Sequence, residues 1–299
     1  MSESKLELEK AAKLPCWKGT VTPEPLSGGI TNTNFIVSDG GDRFVVRIGE
    51  DIPVHGVMRF NEQAASQAAF KAGVSPEVVY AEPGALVLRF IDGQTLTPED
   101  IRQDDMLARI IPLILRVHRT IPRYFKGPSL VFWVFHVLRD YAQTLRHEGS
   151  RMATELNALM ETSETLEKAV GAIDLIYGHN DLLAANFIDD GERLWLVDWD
   201  YAGYNSALFD LGGLASNNGL SSEQERWLLT AYFGSERDKS SYLRYEAMKC
   251  ASLLREAMWS MVQEIHSTLD FDFVGYTDEN MTRFRSALEQ FKTNGDLDG

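Results

Sequence analysis

The stretch Tyr177-Gly-His-Asn-Asp-Leu-Leu-Ala-Ala-Asn-Phe-Ile188 constrains this chain more than any other. It carries His179, Asp181 and Asn186 in the spacing H-x-D-x-x-x-x-N, and the acidic run Leu196-Val-Asp-Trp-Asp-Tyr201 follows closely. Leu175-Ile-Tyr177 reads as a short strand, and Phe187-Ile188 should pair with Leu194-Trp-Leu-Val197 across the turn Asp189-Asp-Gly-Glu-Arg193. That hairpin would set Asn186 and Asp198 at adjacent strand ends. Mg²⁺ prefers hard oxygen ligands and keeps several waters, so one amide oxygen, one carboxylate and nucleotide phosphates suffice to hold it. Asn186 and Asp198 are the metal candidates. Asp181 is placed to orient an acceptor hydroxyl and take its proton during phosphoryl transfer. His179 joins it in the catalytic loop, as a residue expected to bond the loop backbone.

Residues 20–48 read as strand, Gly turn, strand, turn, strand. Asn34-Phe-Ile-Val37 and Arg43-Phe-Val-Val-Arg-Ile48 flank Ser-Asp-Gly-Gly-Asp, which is hairpin chemistry. Before them, Leu26-Ser-Gly-Gly-Ile-Thr-Asn-Thr-Asn34 sets two glycines beside hydroxyl and amide groups. Such a turn brings backbone N–H groups against phosphate oxygens. Ser27, Gly28, Gly29, Asn32 and Asn34 are therefore nucleotide candidates, although a Gly-Gly pair by itself is more often an ordinary β-turn. Arg47, on the third strand, would grip phosphate as a bidentate fork. The run from Arg59 to Gly73 reads as an Ala-rich helix closed by the glycine, with Glu62 in its first turn as the partner of Arg47.

Glu77-Val-Val-Tyr80 and Ala85-Leu-Val-Leu-Arg-Phe-Ile91 supply two more strands around Glu-Pro-Gly. At Asp92-Gly93 the composition turns helical. The expected architecture is α+β and bilobal. Residues 1–91 form a nucleotide-binding lobe, a small antiparallel sheet plus one helix. Residues 92–299 form a larger, mainly helical lobe for catalysis and acceptor binding. Its helices are expected over 98–120, with Pro112 kinking or dividing the run, from Trp133 to Glu148 and from Ala153 to Ala172. A loop of Gly and Asn and further helices come after the 194–197 strand, and the last seven residues should fray. An amphipathic helix over 3–14, with Leu6, Leu8 and Leu14, has no assigned role.

A net charge of −15 argues against a nucleic-acid partner, which needs clustered Lys and Arg. It suits a cationic small substrate. Cys16 and Cys250 lack metal-site spacing and suggest a reducing compartment. The acidic N-terminus is unlike a signal peptide, and no apolar run approaches a membrane span. The expectation is a cytoplasmic protein with no membrane partner.

The chain resembles the choline/ethanolamine kinase branch of the aminoglycoside phosphotransferase and protein-kinase-like superfamily, and the bacterial choline-kinase-like proteins above all. The resemblance rests on Ser27–Asn34, Val46-Arg-Ile48, Arg59-x-x-Glu62, His179–Asn186, Asp198-Trp-Asp-Tyr-Ala-Gly-Tyr-Asn205 and Phe209-Asp-Leu-Gly212. It implies a bilobal kinase-like fold, ATP, Mg²⁺ and an alcohol acceptor such as choline, ethanolamine or a related amino alcohol, and it leaves a homodimer open. It also implies an aromatic pocket for the acceptor's ammonium group, here Trp259, Phe271 and Tyr276 with Tyr201 and Asp200. Aromatic faces attract a cation that cannot donate hydrogen bonds.

Two positions depart from that pattern. Glu256 stands where the family usually has a second Trp, and Asn217 where it has an acid. Residues 256 and 259 share a helix face, so Glu256 is expected to supply the negative charge missing at 217. A less methylated amine then becomes as plausible an acceptor as choline. An aminoglycoside, thiamine or amino-sugar kinase would carry the same catalytic residues. A catalytically silent nucleotide-binding protein would be expected to lack one of Asp181, Asn186 and Asp198, and all three are present.

Overall fold

The computed structural model describes residues 3–26 and 33–296. In chain order the elements are α1 (Glu3–Ala12), β1 (Glu24–Leu26), β2 (Thr33–Asp39), β3 (Asp42–Ile48), α2 (Arg59–Lys71), β4 (Val78–Glu82), β5 (Ala85–Arg89) and β6 (Gln94–Thr95). Next come α3 (Pro98–Ile101), α4 (Asp104–Thr120), α5 (Val134–His147), α6 (Leu156–Val170), β7 (Leu175–Gly178), β8 (Phe187–Asp189) and β9 (Leu194–Leu196). The chain ends with β10 (Gly203–Ser206), α7 (Ala207–Asn218), α8 (Ser222–Phe233), α9 (Lys239–His266) and α10 (Phe273–Asp296).

These elements pack as two compact units. One comprises Met1–Leu96, Arg119–Pro128 and Ala185–Tyr201, and the other Thr97–His118, Ser129–Ala184 and Ala202–Gly299. The units interleave along the chain.

The first unit is built on a five-stranded antiparallel sheet in the order β1-β2-β3-β5-β4. Gly40 and Gly41 join β2 to β3 at φ +62° and +90°, a left-handed pair whose twist matches that of the strands. Phe35, Val37, Val46 and Val87 form the core beneath the sheet, and Ala11 and Leu14 close it. So α1 is a docking element of this core, although Leu6 on its outer side is 50% exposed. Gly73, at φ +71°, follows the last turn of α2.

The β8–β9 hairpin pairs Phe187 with Leu196, and β8 also pairs with β6. Two bonds tie the hairpin to the segment after α2. Leu196 N donates to Val74 O at 2.9 Å, and Ser75 Oγ donates to Leu196 O. Trp199 Nε1 then donates to Ser75 Oγ at 2.8 Å. With its indole 2% exposed, Trp199 pins the acidic residues on either side of it.

The second unit is organised on α9, of which residues Tyr245 to Gln263 are buried throughout. Helices α5, α6, α7 and α10 all pack on it. The Gly- and Asn-rich segment expected as a loop is helix α7. Its small residues serve close packing: a Cβ at Gly212 would lie 3.0 Å from the Lys249 Cα of α9.

Pro112 does not divide its helix. α4 runs unbroken from Asp104, and the break falls at Arg102 and Gln103. Burial of Ile110, Ile111, Leu113 and Ile114, each side chain contributing about 1.5–3 kcal/mol, exceeds the roughly 3 kcal/mol that an interior proline costs. Residues 293–296, part of the tail expected to fray, are helical, and residues 297–299 lie outside the described residues. α10 continues to Asp296, with Asn294 Nδ2 donating to Glu246 Oε1 at 2.7 Å.

Candidate active site

The first unit gathers a buried ion cluster. Arg47 on β3 places Nη1 at 3.1 Å from Glu62 Oε1 on α2, and Nη2 at 3.2 Å from Asp198 Oδ1 and 3.4 Å from Asp200 Oδ1. Arg59, one turn before Glu62, adds bonds to Glu62 Oε2 at 2.7 Å and Asp200 Oδ1 at 2.9 Å. A buried charge is tolerable only when paired, and the pairing covers residues 151 positions apart.

Burial pulls the Arg47 guanidinium down, and Asp198, Glu62 and Asp200 more than offset it, so Arg47 stays protonated throughout the working range. Burial pushes the Glu62 carboxyl up to about 7, against the pull of Arg47 and Arg59, with Asp200 adding to the rise.

Three carboxylates thus face two guanidiniums. Glu62 and Asp200 keep only 4% and 3% of their side chains exposed, whereas Asp198 keeps 30%. A hard carboxylate oxygen that reaches solvent at Asp198 is the kind of group a divalent cation takes. The backbone carbonyl of Asn186 accepts from Val197 N at 3.0 Å, which sets Asn186 opposite the residue before Asp198. Arg47, Arg59, Glu62 and Gln63 line a cleft of about 280 Å³. Asn34 pairs in register with Arg47. Ser27, Gly28, Gly29 and Asn32 lie outside the described residues.

Asp200, expected at the acceptor, has its buried carboxylate paired with Arg47 and Arg59. Tyr201, the half-buried last residue of this segment, belongs to the same unit.

The second unit holds the 179–181 loop, expected from the sequence to be catalytic. Asp210 on α7 accepts the N–H of His179 at 2.9 Å and that of Asn180 at 2.7 Å. His118 Nε2 lies 2.8 Å from Asp210 Oδ2, and His118 Nδ1 lies 2.7 Å from the Tyr232 hydroxyl. Burial pushes the Asp210 carboxyl up. The bond and charge of His118, with the charge and N–H of His179, more than offset it and hold Asp210 below the ordinary carboxylate range.

Asn180 takes φ +66°, and Asp198 of the other unit takes φ +69°. These are the two non-glycine residues with left-handed backbone among those described. Such conformations cost of order 1 kcal/mol or more and persist where the surroundings enforce them, often at functional sites. Here Asn205 Nδ2 donates to Asn180 Oδ1 at 3.0 Å, and Asn180 Nδ2 donates to Gly203 O at 3.3 Å.

Asp181 follows this turn. It lines a cavity of about 250 Å³ together with Asn217, Ser252, Arg255 and Glu256. Two of the aromatic candidates pack on Phe273, and the third packs on one of those two. Trp259 meets it edge-on at 6.3 Å, Phe271 lies 4.8 Å from it, and Tyr276 lies 5.9 Å from Phe271. Trp259 is buried and Phe271 is 46% exposed. The Tyr276 hydroxyl donates to Glu256 Oε1 at 2.8 Å, and burial with the adjacent Glu256 charge pushes that phenol up.

The expectation for Glu256 also needs correction. Arg255 Nη1 stands 3.0 Å from Glu256 Oε2, with both side chains largely buried. The carboxylate does not present an uncompensated charge. Sequence reasoning missed Arg255, Arg59 as an ion partner, His118, Asn180, Phe273 and Tyr232. Asp210 was visible only as part of the quoted Phe209–Gly212 motif.

Among the described residues no helix is long and apolar enough to cross a membrane. A family profile described as choline/ethanolamine kinase matches residues 24–227. A probable ethanolamine kinase of Arabidopsis thaliana is 28% identical over 290 residues, covering 85% of this chain and 76% of that protein. A choline/ethanolamine kinase family protein of Mesorhizobium loti superposes with a TM-score of 0.78 at 29% identity, over 97% of both chains. The fold extends to a spectinomycin phosphotransferase, with a TM-score of 0.61 at 12% identity over 96% of this chain and 98% of that one. The chain therefore belongs to the choline/ethanolamine kinase family, small-molecule phosphotransferases that act on an alcohol group.

Proposed function

We propose that this protein transfers the γ-phosphoryl group of ATP to the hydroxyl of a small cationic amino alcohol. The observation that carries this reading is the position of Asp181, which follows a loop held by Asp210 and lines one cavity with Asn217 and Glu256. Asp181 orients the acceptor hydroxyl and takes its proton as the oxygen bonds to the γ-phosphorus and ADP leaves. Arg47, braced by Glu62, contacts the nucleotide phosphates, with Asn34 beside it on β2 and Ser27, Gly28, Gly29 and Asn32 as further phosphate contacts. Asn186 and Asp198 hold Mg²⁺, which when bound neutralises charge developing on the transferred group.

The cavity offers an amide, a hydroxyl and a carboxylate beside the ring of Phe209. These groups accept hydrogen bonds, so they favour an amine that keeps N–H bonds over a quaternary ammonium, which has none. Ethanolamine and its lightly methylated forms fit this better than choline. Trp259, Phe271 and Tyr276 shield the ammonium end.

The test is an ADP-release screen over ethanolamine, its N-methylated series, choline, thiamine and aminoglycosides, with ATP and Mg²⁺. Highest kcat/KM for ethanolamine or monomethylethanolamine is expected, and loss of turnover in Asp181→Ala. Preference for thiamine or an aminoglycoside would overturn the acceptor class. No turnover with any of these alcohols would favour a silent nucleotide-binding protein.

A further inference from the structure

The second unit contains a buried chain of hydrogen bonds that reaches the catalytic loop from two helices away. Tyr232 on α8, His118 on α4 and Asp210 on α7 are 6%, 3% and 2% exposed, and His179 and Asn180 are 0% and 3% exposed. Asp210 Oδ2 faces both His118 Nε2 and the N–H of His179, while Oδ1 takes the N–H of Asn180.

A carboxylate only accepts hydrogen bonds, so Nε2 of His118 carries a proton. On the ring's other side Nδ1 meets the Tyr232 hydroxyl, a group that can donate or accept. Tyr232 thereby holds the ring in the orientation that presents the Nε2 N–H to Asp210. The same bond orients the carboxylate, whose oxygens meet the two amides just before Asp181. His118 is not among the residues lining the Asp181 cavity.

We infer that Tyr232 and His118 are positioning residues for catalysis, acting through Asp210 on the 179–180 amides to hold Asp181 in its reactive placement. This rests on the reading of Asp181 as the proton acceptor. The left-handed turn at Asn180 makes the device necessary, because the loop would relax if its amides lost their acceptor. A shift of about 1 Å in a reacting group can cost about 100-fold in rate. A purely structural role for the pair would lower stability and leave the turnover of folded protein unchanged.

The full chain is assayed for ADP release with ethanolamine and ATP, and for amide hydrogen exchange without substrate. Tyr232→Phe removes one hydroxyl. His118→Phe removes both ring partners, and His118→Gln restores an N–H that can meet Asp210. Tyr232→Phe should lower kcat about fivefold, the worth of one hydrogen bond. His118→Phe should lower it about 100-fold, with both KM values within about twofold of wild type. His118→Gln should recover most of that loss. Exchange at the His179 and Asn180 amides should quicken in Tyr232→Phe and His118→Phe, while the buried amides of α9 stay protected.

Unchanged kcat in Tyr232→Phe with unchanged exchange at residues 179 and 180 overturns the inference. So does a fall in kcat that His118→Gln does not repair. If His118→Phe fails to fold, the Tyr232→Phe and His118→Gln comparisons decide. Asp181→Asn should lose turnover and keep wild-type exchange at 179 and 180. An active Asp181→Asn would refute the role of Asp181, while exchange still reports on the hydrogen-bond chain.

Discussion

Tyr276 donates its hydroxyl proton to Glu256 Oε1 at 2.8 Å, joining the start of α10 to the buried face of α9. Arg255 holds the other oxygen at 3.0 Å. The carboxylate is thus fixed from both sides. The aromatic cluster and the Asp181 cavity meet through this one side chain.

Replacing Glu256 by Gln keeps the shape and removes the charge. The KM for the amine should rise several-fold with kcat little changed, because the contact serves substrate and transition state alike. The variant should also melt earlier, since Arg255 loses its buried counter-charge. An unchanged KM for ethanolamine would rule out Glu256 as an acceptor contact.

Arg47→Met strips the cation that Glu62, Asp198 and Asp200 share. Breaking a buried pair by removing one partner costs about 3–5 kcal/mol, so urea unfolding should shift by that amount. Arg47→Lys should fall between the two, because a point charge cannot fork to three carboxylates. Equal stability of Arg47→Met and wild type would show that the cluster adds nothing to the fold.

Chelation should abolish turnover, and Mg²⁺ should restore it. Asp198→Asn should raise the Mg²⁺ concentration for half-maximal rate by at least about 10–100-fold, the scale seen when support of a metal site is lost. Asp181→Asn should leave metal affinity unaltered. An unshifted Mg²⁺ requirement in Asp198→Asn would remove that residue from the metal site.

Two neighbouring glycines of α7 should respond in opposite ways. A Cβ at Gly212 would stand 3.0–3.3 Å from the Lys249 backbone and Cβ, whereas at Gly213 it would meet only Ser252 Oγ at 3.4 Å. Gly212→Ala should destabilise by about 1–3 kcal/mol through overpacking. Gly213→Ala should be neutral or gain up to about 1 kcal/mol of helix propensity. Matching melting shifts would contradict the close approach of α7 to α9.

Asp210 titrates below its unfolded value of 3.8. Its contribution to stability is therefore present above pH 3.8 and is lost as pH falls through the lower folded value. Asp210→Asn should be less stable at pH 7, and its stability should fall less steeply than that of wild type below pH 4. A wild-type slope in the variant would mean that Asp210 protonation is not coupled to folding.

The features legible in the sequence are those made by neighbours. The 187–196 hairpin needs one turn, and it brings Asn186 opposite Val197. The sheet hairpins and the pairing of Arg47 with Glu62 follow from alternation and glycine turns, because β3 and α2 are close in the chain. Longer-range choices left weaker marks. His118 is one histidine on an apolar helix, and its partner Asp210 lies 92 residues on. Nothing local says whether Asp200 faces an acceptor or two guanidiniums, since both answers satisfy a carboxylate.

The division is physical. Turn chemistry and side-chain periodicity act over a few residues, so the sequence by itself determined the hairpins, the longer helices other than α7, and the spacing of Asp181, Asn186 and Asp198. Where a buried charge or hydrogen bond finds its partner depends on which faces pack together. Only the tertiary structure decided that Arg255 shares Glu256, that Arg59 joins Arg47, and that Tyr232 and His118 stand behind the 179–180 amides.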